Sequence, residues 1–132
     1  MKPWKLPEKT IGCYTTIMPH RLKILIIEND DFLRELLGNI LHKKGFYIIN
    51  GMTIAEALEN AQGHKIHALI LGTSCSDYQG KSSLNYIKQK LDSTPQEFII
   101  NDTNKKLTYI ESDFQIRIKD LSVEKIIQKI SQ

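Results

Sequence analysis

Between Leu22 and Ile27 the chain is apolar at every position but Lys23, and such a run predicts a parallel strand covered on both faces by helices. It stops at Glu28, Asn29, Asp30 and Asp31, which gathers polar groups at the carboxyl end of the strand, where open α/β sheets place their ligands. Phe32, Leu33, Leu36, Leu37, Ile40 and Leu41 then recur at the spacing of a helix with one buried stripe. Asn29 or Asp30 caps that helix and Gly45 ends it. Phe46 to Asn50 reads as a second strand, and Thr53-Ile-Ala-Glu56 as a capping box opening a helix through Ala57, Leu58 and Ala61 to Gly63. Ala68, Leu69, Ile70 and Leu71 form a third strand ending in Gly72, Thr73 and Ser74, followed by a polar loop to Gly80. Leu84, Ile87 and Leu91 mark the next helix, and Thr94-Pro95 stops it before a fourth strand at Phe98, Ile99 and Ile100. Asn101 and Asp102 stand at its end. Phe114, Ile116 and Ile118 alternate as a fifth strand, and Val123, Ile126, Ile127 and Ile130 line a last helix capped by Ser122.

Strand followed by helix, repeated along the chain, requires a parallel sheet with right-handed crossovers and helices on both faces. The prediction is a doubly wound, five-stranded α/β domain of flavodoxin-like order 2-1-3-4-5. Only Thr103 to Asp113 separates the fourth and fifth strands, so the fourth helix is expected to be short or missing. Residues 1–21 lie outside the pattern: Pro3 and Pro7 break any helix, while Trp4, Ile11, Tyr14 and Ile17 are apolar. They are read as an N-terminal arm, and residues 22–132 as the domain.

Charge and cysteines narrow the function classes. The 18 basic and 15 acidic residues are mixed, giving a net charge of +3 without a basic block, so no nucleic-acid partner is expected. Cys13 and Cys75 have neither CxxC spacing nor a histidine cluster, which argues against zinc or a disulfide framework and for a cytoplasmic protein. No stretch approaches the length of a membrane span, and the first residues lack a signal peptide's apolar core. Glu28, Asp30 and Asp31 could gather a metal, but acids at a helix start also stabilise its dipole by ~0.3–1 kcal/mol each, and that reading is preferred. Gly80-Lys81-Ser82 ends like a P-loop, yet the glycine required five positions earlier is Cys75. Cys75 itself, in a loop read as exposed, has no neighbouring cation in sequence to activate it. His64 and His67 flank the start of the third strand at a spacing that could suit a metal, but the preferred reading is that they are solvated.

Laid out this way, residues 22–131 resemble the receiver domain of two-component response regulators. The resemblance rests on the strand Lys-Ile-Leu-Ile-Ile-Glu leading into Phe-Leu-Arg-Glu-Leu-Leu, on Gly80 after the third strand, and on Lys119-Asp-Leu-Ser-Val-Glu near the end. In that family, two acids after the first strand hold Mg²⁺ and an Asp ending the third strand accepts a phosphoryl group. A Thr or Ser ends the fourth strand and a Lys the fifth. Here Glu28 matches the first acid and Asn29 stands at the second. Gly72 falls at the acceptor position, and Asn101 at the hydroxyl position, or Ile100 if the register slips by one. Lys119 matches the lysine, with Arg117 the competing choice, and the family's aromatic position falls near Phe114 or Ile116.

The resemblance implies a degenerate member, a pseudo-receiver with a remnant pocket of Glu28, Asn29, Gly72, Asn101 and Lys119. Lys119 is expected to pair with Glu28. Such a domain is expected to be no enzyme, to hold no metal or other cofactor, and to act as a phosphorylation-independent protein-interaction module in two-component or phosphorelay signalling. Its partner would be a signalling protein, with no membrane partner and a homodimer left open. The alternative is a receiver-like domain that retains a small-ligand or phosphoryl-handling site. Because the pattern ends with the last helix, no output domain is expected; the domain then acts on a partner or is a piece of a longer protein.

Overall fold

The computed structural model describes residues 21–91, 93–101, 115–117 and 122–130, with 115–117 as backbone alone. The elements run β1 (Lys23–Ile27), α1 (Asp31–Lys43), β2 (Tyr47–Gly51), α2 (Ile54–Asn60), β3 (Ala68–Gly72), α3 (Lys81–Leu91), β4 (Gln96–Asn101), β5 (Gln115–Arg117) and α4 (Val123–Ile130). All strand pairs are parallel and the order is β2-β1-β3-β4-β5. The expected short helix falls on residues 103–113, and most of the expected arm on residues 1–20; both lie outside the described residues.

The sheet is apolar on both faces because alternate side chains of β1, β3 and β4 enter different cores. Leu25, Ile27, Leu69, Leu71 and Ile99 pack toward α2 and α3. Ile24, Ile26, Ala68, Ile70, Phe98 and Ile100 pack toward α1 and α4. Every residue of β3 is buried, as the middle position of the sheet demands, and each fully buried Leu or Ile contributes roughly 1.5–3 kcal/mol.

Helix α1 starts at Asp30, whose Oδ1 accepts from the Leu33 amide at 2.9 Å. Its single buried stripe is narrower than the sequence suggests. Leu37 and Leu41 are buried, and Leu33 and Ile40 partly so, whereas Phe32 is 75% exposed and Leu36 41%. The apolar positions spread over a wider arc than the sheet and α4 can cover, so one flank is left in solvent.

Helix α2 is capped from two directions. Thr53 Oγ1 accepts from the Glu56 amide at 3.1 Å, and Glu56 Oε1 accepts from the Met52 amide at 2.6 Å, a capping box displaced by one residue from the usual reciprocal pair. The two remaining amides of the first turn, Ile54 and Ala55, donate to Asp77 Oδ1 and Oδ2 at 2.9 and 3.1 Å. Asp77 belongs to the β3–α3 loop, so this carboxylate staples that loop to α2. At the end of β2, a Cβ on Gly51 would lie 2.5 Å from the Ala57 backbone nitrogen, so glycine is what lets α2 pack this closely. Asp77→Ala should therefore cost about 1–2 kcal/mol in denaturant unfolding and accelerate amide exchange at Ile54 and Ala55. Unchanged exchange at those two amides would mean that the loop is held by something else.

Candidate functional site at the carboxyl edge of the sheet

β1 and β3 are neighbours with Ile26 opposite Ile70 and Ile27 opposite Leu71, so the next residues along, Glu28 and Gly72, meet at the carboxyl edge. Glu28 is only 2% exposed. Its carboxylate lies over Gly72: a Cβ built there would sit 2.9 Å from the Glu28 carboxyl carbon and nearer still to Oε1. The space an acceptor side chain would occupy is thus filled by the glutamate. Glu28 Oε2 accepts from the Asp30 amide at 2.8 Å and from the Ser74 hydroxyl at 3.3 Å.

The other predicted pocket residues are dispersed. Asn101, 2% exposed, ends β4 at the same edge, next to the Thr73 amide that donates to Ile100 O at 3.0 Å. Asn29 is exposed at the rim. Lys119 and its expected pairing with Glu28 lie outside the described residues. The acids after β1 do not converge: Asp30 caps α1, and Asp31 turns outward to Arg34 Nη2 at 2.5 Å. Among the described residues no three His, Cys, Asp or Glu side chains are grouped to hold a metal ion.

Two contributors were missed by the sequence reading. Arg34 Nη1 donates to the Glu28 carbonyl at 2.7 Å, tying α1 to the end of β1; its i,i+3 spacing from Asp31 was the available signal. Ser74 reaches Glu28 across 46 positions of chain, and nothing local announces that. His64 and His67 prove to be engaged rather than solvated. His67 Nδ1 accepts from the Lys23 amide at 3.0 Å, and Lys23 Nζ meets His64 Nδ1 at 3.1 Å, at the opposite, amino edge of the sheet. His64 also stacks on Tyr47 with centroids 5.7 Å apart.

Cys75 is corrected as well. It is 4% exposed, with Sγ 3.6 Å from the Met52 carbonyl. Burial first, and then the charges of Glu28 and Asp77, push its thiol up from 9.0 to about 12, against a smaller opposite pull from the Asn29 amide and Arg34. The proton is held more tightly in the folded state, so this group subtracts stability as pH rises from the unfolded value of 9.0 toward about 12. With Cys13→Ser removing the other thiol, a disulfide reagent near neutral pH should find the native thiolate about a thousandfold scarcer than in the unfolded chain. Equal labelling rates with and without denaturant would contradict this burial.

No family model matches the chain, and no curated protein sequence does. Solved structures match well. A two-component response regulator from Clostridium difficile is 23% identical with a TM-score of 0.70, over 84% of this chain and 93% of that one. A CheY-like response regulator receiver domain protein from Methanospirillum hungatei JF-1 is 16% identical with a TM-score of 0.70, over 84% and 91%. A response regulator from Burkholderia pseudomallei, solved with a phosphorylated aspartic acid, a calcium ion and citrate, is 15% identical with a TM-score of 0.69, over 83% and 66%. With a parallel 2-1-3-4-5 sheet flanked by helices on both faces, this chain has the α/β, flavodoxin-like fold of CheY-like response regulator receiver domains.

Proposed function

We propose that this domain is a pseudo-receiver: a protein-interaction module of signal transduction that works without phosphorylation and without catalysis. One observation carries the reading. Gly72 ends β3 where the resemblance places the phosphoryl acceptor, and the Glu28 carboxylate fills the space that an acceptor side chain would need. Covalent uptake requires an activated nucleophile in reach of the donor. Glycine supplies none at that position. Mg²⁺ is usually held by one or two carboxylates together with substrate phosphate and water in near-octahedral geometry; among the described residues Glu28 is the one carboxylate at a matched family position, with Asn29 exposed beside it. The partner we propose is a signalling protein in the cytoplasm. Among the described residues no helix is long and apolar enough to cross a membrane.

Intact-mass spectrometry after incubation with a small phosphodonor and Mg²⁺ should show no phosphoryl adduct on the parent protein, and a stoichiometric adduct would overturn the proposal. Restoration of the acceptor is tested with three changes. Gly72→Asp with Asn29→Asp requires the flexible Glu28 side chain to turn aside, and adding Glu28→Asp withdraws that carboxylate by one methylene. This triple variant is expected to acquire one phosphoryl group. A thermal-shift series with Mg²⁺, phosphodonors and nucleotides addresses the alternative of a retained ligand site, because a ligand that prefers the native state raises the midpoint. No rise is expected for the parent.

A further inference from the structure

The outer face of α1 carries two rails that no other described element covers, Asp31 on one of them being paired with Arg34 of the same helix. Phe32 and Leu36, one turn apart, form an apolar rail, 75% and 41% exposed. Asp31 and Glu35, also one turn apart and both exposed, run beside it as an acidic rail. The solvent side of an amphipathic helix is ordinarily polar, and neither α4 nor the sheet reaches this flank. A phenylalanine this exposed beside a second apolar residue and two acids matches a ligand of opposite character, apolar and basic.

The chain carries such a segment at a suitable distance. Residues 1–20 contain Trp4, Leu6, Ile11, Tyr14 and Ile17, with Lys2, Lys5 and Lys9 against the single acid Glu8. They join β1 at the amino edge of the sheet, whereas α1 begins at the carboxyl edge, roughly 17 Å away along a five-residue strand. Ten residues of extended chain span about 33 Å, so residues 11–20 suffice as a tether and residues 1–10 are left to lie on the helix. Tethering at this length gives an effective concentration on the order of millimolar, so a small patch is enough. We infer that the N-terminal segment docks in cis on the outer face of α1, with Trp4 against Phe32 and Leu36 and its lysines beside Asp31 and Glu35.

Trp4 is the sole tryptophan, so its fluorescence in the full-length chain reads the docking directly. The expected emission is blue-shifted from that of the denatured protein, several-fold shielded from acrylamide, independent of protein concentration, and returned toward the solvated value by salt, which screens the charge pairing. Phe32→Ser combined with Leu36→Ser, and separately Glu35→Lys, should each move the emission to the solvated position. The far-UV spectrum should stay unchanged, because these side chains are exposed. A solvated emission in the parent, or an emission that none of these substitutions moves, would overturn the inference. So would a blue shift that grows with protein concentration, which would assign the face to a second copy of the chain.

Discussion

A carboxylate buried at the end of a central strand has to be solvated by the protein, because leaving it without partners would cost several kcal/mol. Glu28 meets this demand with the Asp30 amide and the Ser74 hydroxyl, and the turns after β1 and β3 are arranged around that need. The same constraint explains Gly72. A side chain at position 72 would meet the end of the Glu28 side chain where it now lies. Glu28 and Gly72 are therefore coupled: a side chain at position 72 would require the Glu28 carboxylate to turn away from the place it now holds.

The order imposed at the edge spreads outward through the loops. Arg34 binds the carbonyl of Glu28 and fixes the entry of α1, while Asp77 fixes the β3–α3 loop against α2. Cys75 lies between these anchors, buried and against the Met52 carbonyl. The two carboxylates that hold the loops are also the charges that, after burial, keep its thiol protonated. One arrangement thus secures three loops and suppresses the reactivity of the one described cysteine.

The strands and helices were readable because their signals are local. The apolar run at β1, the capping residues Asp30, Thr53 and Ser122, and Gly45 and Gly63, both with positive φ, act over a few residues. The order of strands followed from the strand–helix alternation, the handedness of the crossovers and the flavodoxin-like solution for five strands. Exposure of Phe32 and Leu36 was not readable, since helical spacing says which residues share a face and not how wide a face the rest of the protein covers. Within the site, the substitution of glycine at position 72 was visible, but its meaning was not: the filling of that space by Glu28 depends on a side-chain direction across two strands. Asp77 and Ser74 are engaged through contacts distant in sequence, which no local pattern encodes.

A switch needs a ligand that distinguishes two states and can leave. A phosphoryl group on an aspartate meets both conditions; a carboxylate on the neighbouring strand meets neither, because it is covalently part of the chain and present at constant effective concentration. On the pseudo-receiver reading, with Glu28 seated over Gly72, the carboxyl edge keeps one composition and its loops have no reagent to answer to. Regulation, on the pseudo-receiver reading, has to enter elsewhere, through a surface whose occupant can come and go. The outer face of α1 has that property. It joins the site mechanically, because Arg34 on the same helix grips the Glu28 carbonyl while Asp31 grips Arg34. A segment or partner that engages Asp31 competes with Arg34 for the same carboxylate, so covering this face and loosening the edge are physically linked through a single charged side chain.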